Sequence, residues 1–136
     1  MRIMRRFVLV CAFAMLVMSA AAQQQDPLTG TWVGDFGPSR YDRNPITVDL
    51  KWDGKSLTGA IKPGPSGTPM YRNFDGFPIE KASFDTKTGT VKFEAMYKPL
   101  ERRYVIEGKL DKGTIAGSWN RGRSGEGDFK LMRKTL

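Results

Sequence analysis

The chain has 136 residues, a net charge of +8 and no histidine, and its single cysteine is Cys11. These counts exclude a Ser-His-Asp triad, an ordinary zinc site and an intramolecular disulfide. The length predicts one compact domain whose stability rests on its hydrophobic core.

The first 22 residues have the layout of a secretory signal peptide. Three arginines precede an apolar run at 7–18, and alanines at 20–22 provide the small residues of a cleavage site. The apolar run is shorter than the roughly 20 residues that a membrane helix needs. We therefore expect cleavage after Ala22, a short flexible lead at 23–27, one domain at 28–136, and a secreted or periplasmic protein of bacterial export.

Beyond residue 28 the chain alternates between apolar and polar residues, which is typical of β-strands. The clearest run is Ile46, Val48, Leu50 and Trp52, which are separated by polar residues. Turn signals containing glycine lie between such runs. The pattern predicts eight strands, near 29–36, 45–53, 56–63, 78–85, 89–98, 101–110, 114–121 and 126–133.

The short connections leave no room for helical crossovers, so the strands are expected to form an antiparallel meander. Closing the meander into an eight-stranded up-and-down barrel removes its two edges. A local pattern also repeats, as LTGTW at 28–32, SLTGAI at 56–61 and TIAGSW at 114–119. We interpret each glycine as a small inward position that lets a coiled strand fit a large apolar neighbour.

An exported barrel could also lie in an outer membrane, and the outward positions argue against this. They are predicted to include Asp49, Lys51, Glu94, Glu107 and Lys109. A basic residue at mid-membrane costs about 2–4 kcal/mol. We therefore expect no transmembrane segment in the mature chain.

The meander assigns the loops to two ends of the barrel. Tight turns at 53–55, 85–89 and 111–113 form a floor, and loops at 37–44, 62–77, 98–100 and 122–125 form a mouth. Binding residues are usually found at a loop-rich end. The inward register brings these candidate ligand-binding residues towards the mouth: Glu80, Tyr97, Arg102, Tyr104, Trp119 and Arg121. They could equally be rim residues that are solvated or paired with one another.

The long loop at 62–77 is rich in proline and glycine and also carries large apolar side chains. Either these side chains form a lid over the mouth, or they anchor the loop to the core. The lid candidates are Met70, Tyr71, Phe74 and Phe77.

The opening of the domain resembles a known family. Gly30-Thr31-Trp32 matches the G-x-W signature of lipocalins and the wider calycin group, in which the tryptophan closes one end of the barrel. The resemblance implies that Arg133, near the end of the last strand, lies across Trp32. The chain as a whole resembles small secreted bacterial lipocalin-like domains of unknown function. TGTW is also similar to the first strand of avidin-like barrels, but the residues that follow do not imply biotin.

Three classes of function remain open. The first is a module that binds a small amphipathic or anionic ligand at the mouth. The second is a filled barrel that docks to a protein or envelope partner. The third is a cyclase or isomerase with Glu80 as base and Tyr97 or Tyr104 as proton donor. We expect no cofactor, no metal and no nucleic acid, and the pattern does not specify an oligomeric state.

Overall fold

The structure is a computed structural model that describes residues 26–64 and 76–134. It confirms an all-β fold of eight antiparallel strands joined as a closed meander. The expected signal peptide at 1–22 lies outside the described residues. The strands are β1 (Gly30–Ser39), β2 (Asp42–Trp52), β3 (Leu57–Pro63), β4 (Phe77–Asp85), β5 (Thr90–Tyr97), β6 (Arg102–Asp111), β7 (Thr114–Asn120) and β8 (Glu126–Arg133).

Each strand pairs with the next, and the barrel closes between β1 and β8. The closing register runs from Trp32 opposite Arg133 to Gly37 opposite Asp128. One end of the barrel, the floor, carries the β2–β3, β4–β5 and β6–β7 turns. The other end, the mouth, carries the β1–β2, β3–β4, β5–β6 and β7–β8 connections. A short 3₁₀ turn at Lys98–Leu100 joins β5 to β6.

The first mouth connection differs from the expected loop at 37–44. The strands continue through most of this segment, and only Arg40 and Tyr41 form the turn between them. Arg43 explains the extension, because its guanidinium donates to Asp35 at 2.7 Å and to Asp128 at 2.5 Å. One cation thus joins β1, β2 and β8 at the base of the hairpin.

The repeated glycines allow close approach of neighbouring strands. A Cβ atom at Gly59 would lie 2.0 Å from the Asp49 carbonyl oxygen, and one at Gly117 would lie 2.0 Å from that of Glu107. Neither position can hold a side chain without displacing backbone. In the second and third copies of the repeat, the glycine therefore serves the packing of adjacent strands.

Strand β4 contains a bulge that alters its inward register. Glu80 pairs with Glu94 and Ser83 pairs with Lys92, so β4 has one extra residue between these pairs. Lys81 adopts a left-handed conformation there, with φ of 46°. Among the described residues β4 pairs with β3 at only two positions, Ala60–Pro78 and Ile61–Phe77. We call the contact between these two strands the β3–β4 seam. In the described residues, its floor half therefore lacks regular backbone pairing.

The core runs through the barrel from floor to mouth. At the floor, Trp32 is fully buried, and its indole donates to the Leu28 carbonyl at 2.9 Å. At the same end of the barrel Trp52 and Phe84 meet edge to face, with ring centres 5.4 Å apart. The remaining buried side chains of the described residues are aliphatic or aromatic: Leu28, Ile46, Val48, Leu50, Leu57, Ile61, Ile79, Val91, Phe93, Ala95, Tyr97, Tyr104, Ile106, Ile115, Trp119, Phe129 and Leu131.

Candidate functional site

Five aromatic rings meet inside the mouth of the barrel. We call this group the mouth cluster, and it consists of Phe36, Phe77, Tyr97, Tyr104 and Trp119. Tyr104 occupies its centre, with ring centres 5.7 Å from Trp119, 6.4 Å from Phe36 and 6.5 Å from Phe77. The rings come from five different strands, so closure of the barrel is what brings them together.

The members of the cluster differ in burial. Tyr97, Tyr104 and Trp119 are buried, whereas Phe36 and Phe77 are only partly buried. The Trp119 indole is satisfied within the fold, because it donates to the Asp128 carbonyl at 3.0 Å. The two phenylalanines therefore present the accessible part of this aromatic surface.

Arg121 lies beside the cluster and is held by the β7–β8 turn. Its Nε donates to the Ser124 carbonyl at 3.0 Å, and its Nη1 donates to the Tyr104 hydroxyl at 3.2 Å. Its guanidinium carbon lies 5.7 Å from the centre of the Trp119 ring. A Cβ atom at Gly125 would lie 2.8 Å from the Arg121 Nε, so the glycine leaves room for this arrangement. Arg121 is thus a fixed cation over an aromatic surface.

Arg102 begins β6 opposite Tyr97, which ends β5. It stands two residues before buried Tyr104 and therefore shares the inward register of that strand. Its side chain is partly buried. Within 26–64 and 76–134 the structure gives Arg102 no hydrogen bond and no ion pair. None of the N–H donors of this half-buried guanidinium is thus used by another described residue.

Glu80 requires a correction, because it does not share the mouth with the tyrosines. Ile79 takes the inward position, and Glu80 is exposed on the outer wall. There its carboxylate accepts a hydrogen bond from Arg103 at 3.2 Å. The bulge at Lys81 is the physical reason, since one extra residue shifts the alternation between Phe84 and Ile79. The expected pairing of a Glu80 base with Tyr97 or Tyr104 is therefore not assembled.

Arg103 belongs to an ion-pair group on the outer wall. Its Nη1 lies 3.8 Å from a Glu94 carboxylate oxygen, which also lies 3.5 Å from the Lys81 ammonium. Arg102 and Arg103 are adjacent in sequence but face different environments. Of the predicted site residues, Arg102 and Arg121 therefore lie at the mouth, whereas Glu80 lies on the outer wall.

The lid candidates are only partly covered by the structure. Met70, Tyr71 and Phe74 lie outside the described residues. Phe77 is the first residue of β4 and belongs to the mouth cluster, where its ring is nearly parallel to that of Tyr104, at 28°.

The three residues expected at the barrel closure lie together at the floor. The Arg133 guanidinium carbon is 4.9 Å from the centre of the Trp32 ring. Arg133 also donates to the Thr29 carbonyl at 2.9 Å and to the Pro27 carbonyl. Gly30 has a φ of 145°, and a Cβ atom there would lie 3.6 Å from the Arg133 guanidinium.

Phe36 is a residue of the site that the sequence analysis did not single out. Its signal was present, because Trp32, Gly34 and Phe36 occupy alternate positions of one strand and therefore face the same side. The predicted strand ended at Phe36, whereas β1 continues to Ser39. Phe36 was therefore treated as a strand end and not as an inward residue of the mouth.

Two further observations concern the chemistry that the described residues offer. Within 26–64 and 76–134 no group of three or more His, Cys, Asp and Glu side chains is arranged to hold a metal ion. The same residues contain no helix with the length and apolar character of a membrane span.

Comparison with known proteins adds a similarity of structure. No family model and no curated protein matches the chain. A crystal structure of a point variant of the fluorescent protein UnaG is similar, with a TM-score of 0.46 and 14% sequence identity. The match covers 81% of this chain and 98% of that one. The function must therefore be argued from the residues of the chain itself.

Proposed function

We propose that this protein is an exported barrel that binds a small ligand with an anionic head and an apolar, aromatic-sized body at its mouth. The observation that carries the proposal is Arg102, a half-buried cation that has no ion-pair partner among the described residues and lies beside the mouth cluster. Arg121 adds a second cation at the same end.

The chemistry of the mouth supports an anionic head group. A guanidinium binds a carboxylate, sulfonate or phosphate through charge-assisted and often bidentate hydrogen bonds. Glu80 was expected at the mouth, where its carboxylate would compete for these arginines. It lies on the outer wall instead and accepts a hydrogen bond from Arg103. The apolar part of the ligand would pack against Phe36 and Phe77, the partly buried members of the cluster.

The size of the ligand follows from the filling of the barrel. An eight-stranded barrel has space for side chains or for one small ligand. Here buried side chains such as Val48, Val91 and Leu131 occupy the interior below the mouth cluster. We therefore place the ligand on top of the core, at the mouth.

A pair of fluorescent probes tests this proposal directly. Anilinonaphthalenesulfonate carries a sulfonate on an aromatic body, and phenylnaphthylamine has the same ring system without the charge. We expect Arg102→Gln to weaken sulfonate binding by roughly tenfold or more, since a hydrogen bond to a charged group contributes about 1.5–3 kcal/mol. Binding of the uncharged probe should stay within about twofold.

Arg103→Gln provides the matched control, because it removes the same charge from the neighbouring position on the outer wall. It should leave binding of both probes unchanged. Equal affinities of wild type and Arg102→Gln for the sulfonate would refute the proposed site. So would equal losses of affinity in the two variants, since these would reflect only the net charge.

The continuous core favours a second candidate, a filled barrel that acts through its surface on a protein or envelope partner. Native mass spectrometry of protein purified from its own host distinguishes the two. A retained small molecule that is lost in Arg102→Gln supports the binding module. Unliganded protein that co-purifies with a stoichiometric macromolecular partner supports the interaction module.

The proposal also includes export, which rests on the alanines at 20–22. Intact-mass measurement of protein recovered from the culture medium or the periplasm should place the N-terminus at or next to Gln23. Recovery of soluble protein that still begins at Met1 would contradict it.

A further inference from the structure

The mouth presents large apolar side chains on the tips of two opposite turns. Tyr41, in the β1–β2 turn, is 81% exposed, and Leu100, in the β5–β6 turn, is 46% exposed. In the described part of the chain, the other exposed large hydrophobic side chains are those of Val105 and Met132, at 40% and 56%. Both of these lie within strands β6 and β8, on the barrel wall.

The charges of the two ends also differ. The described mouth turns, at 40–41, 98–101 and 121–125, carry four cations and one carboxylate. The floor turns, at 53–56, 85–89 and 111–113, carry three of each. Among the described turns, those at the mouth are therefore more basic than those at the floor. The mouth cations are Arg40, Lys98, Arg121 and Arg123, and the mouth carboxylate is Glu101.

We propose that the mouth rim docks on the surface of an anionic lipid bilayer. Tyr41 and Leu100 would enter the head-group region, and Arg40, Lys98 and Arg123 would contact lipid phosphates. Aromatic side chains with a polar tip favour this interfacial depth. Each basic residue near an anionic membrane surface contributes about 1 kcal/mol.

The geometry of the rim favours a bilayer over a protein partner. Around the closed barrel, two strands separate the β1–β2 hairpin from the β5–β6 hairpin in either direction. Tyr41 and Leu100 therefore lie on opposite sides of the mouth, and among the described residues they do not form one contiguous apolar patch of the kind that marks a protein interface. A fluid surface can accept two separate tips at once, and both reach a plane when the mouth faces that plane.

Arg40 supports this orientation at the level of a single turn. Its guanidinium carbon lies 4.7 Å from the centre of the Tyr41 ring, and its Nη2 donates to the Tyr41 hydroxyl at 2.5 Å. The ring and the cation therefore point to solvent as one amphipathic unit. This unit presents apolar surface and positive charge at the same place on the rim.

Vesicle co-sedimentation tests the proposal with two matched pairs of variants. The vesicles contain phosphatidylglycerol or phosphatidylcholine, and the protein is used as recovered from cells, with its N-terminus defined by intact mass. Tyr41→Ser with Leu100→Ser should weaken binding to phosphatidylglycerol by about tenfold or more. Val105→Ser with Met132→Ser changes the exposed large apolar residues of the wall in the same way and should leave binding unchanged.

The second pair separates the basic rim from the total charge. Arg40→Gln with Arg123→Gln should weaken binding by roughly fivefold for each arginine. Lys55→Gln with Lys87→Gln removes the same charge from the floor and should have little effect beyond the change in net charge. Added salt should weaken wild-type binding, because it shortens the screening length.

Several outcomes would overturn the proposal. One is equal binding by the rim and wall variants, and another is equal binding to the two kinds of vesicle. Inhibition of vesicle binding by free phosphate at millimolar concentration would identify an anion site instead of a membrane surface. The proposal is separable from ligand binding, since Tyr41→Ser with Leu100→Ser should bind the sulfonate probe as wild type does when no vesicles are present.

Discussion

Arg133 lies over the ring of Trp32 at the floor of the barrel, with its guanidinium carbon 4.9 Å from the ring centre. The two residues also face each other across the β1–β8 register that closes the sheet. The first and last strands are thus joined by backbone hydrogen bonds and by a cation over an aromatic face. The hydrogen bonds from Arg133 to the Thr29 and Pro27 carbonyls extend this contact to the segment before β1.

Trp32→Ala should destabilise the protein by roughly 3–5 kcal/mol, because it leaves a large cavity in a closed core. The indole is fully buried and also donates to the Leu28 carbonyl, so the substitution leaves this acceptor without its partner. That loss is a large share of the about 5–15 kcal/mol that stabilises a domain. Urea unfolding followed by circular dichroism measures it.

Trp52→Ala is the natural control for that experiment. Trp52 is also a floor tryptophan, but it is only partly buried against the core. Its removal should cost clearly less than the removal of Trp32. If Trp32→Ala unfolds near the wild-type midpoint, the first strand does not close the core.

Arg121→Ala should lower stability as well as ligand affinity, because Arg121 has structural contacts of its own. The substitution removes donors to the Ser124 carbonyl and to the Tyr104 hydroxyl. We expect a loss of about 1–2 kcal/mol, measured by urea unfolding, from these two hydrogen bonds. Arg123→Ala, two residues away and exposed, should unfold at the wild-type midpoint. Equal midpoints for the two variants would show that the β7–β8 turn does not depend on Arg121.

Much of the architecture was predictable from alternation alone. The run Ile46 to Trp52 alternates cleanly because one face of β2 is buried and the other is solvated. Short turns between such runs permit only antiparallel neighbours, and a short chain with many strands favours closure. The eight predicted strands therefore agree with the structure to within a few residues, apart from the extension of the first hairpin.

The position of Glu80 could not be predicted in the same way. Its orientation depends on the bulge at Lys81, and a lysine with φ of 46° has no signal in the sequence. Glycine or asparagine would have marked a left-handed residue. The extension of the first hairpin was equally hidden, because Arg43 reaches Asp128, which is 85 residues away along the chain. Long-range contacts of this kind are not contained in a local pattern.

Asp49 should make stability depend on pH in the acid range. The Lys62 ammonium and then the Thr31 hydroxyl, both bonded to the carboxylate, hold the pKa of Asp49 below its ordinary value. Folding therefore favours the ionised form. The stabilisation is complete above the unfolded pKa of about 3.9 and is lost as the pH falls through the lower folded pKa. Since the side chain is 38% exposed, we expect less than about 1 kcal/mol.

Urea midpoints measured at about pH 7 and about pH 2 test this sign. Asp49→Asn should be less stable than wild type at neutral pH and should approach it in acid. Lys62→Gln should reproduce part of the neutral-pH loss, because it removes the first partner of the carboxylate. A difference between wild type and Asp49→Asn that is the same at both pH values would contradict the prediction.

The floor half of the β3–β4 seam should be the place where the barrel opens most readily. Pairing between these strands is seen only near the mouth, at Ala60–Pro78 and Ile61–Phe77, in the part of the chain that the structure describes. Among the described residues, the part of β4 beyond the bulge pairs with β5 alone. Strand β6, in contrast, is paired along most of its length on both sides. Amides without a strand partner exchange through local fluctuations, whereas paired core amides require larger openings.

Amide hydrogen exchange should therefore be fastest, among the strands, in residues 81–85. Protection there should be at least about tenfold lower than in residues 105–110, which corresponds to about 1.4 kcal/mol of opening free energy. Residues 115–119 of β7 provide a second reference, because that strand is also paired on both sides. Protection at 81–85 equal to that in these two strands would show that the seam is closed in solution and that the bulge does not weaken the wall.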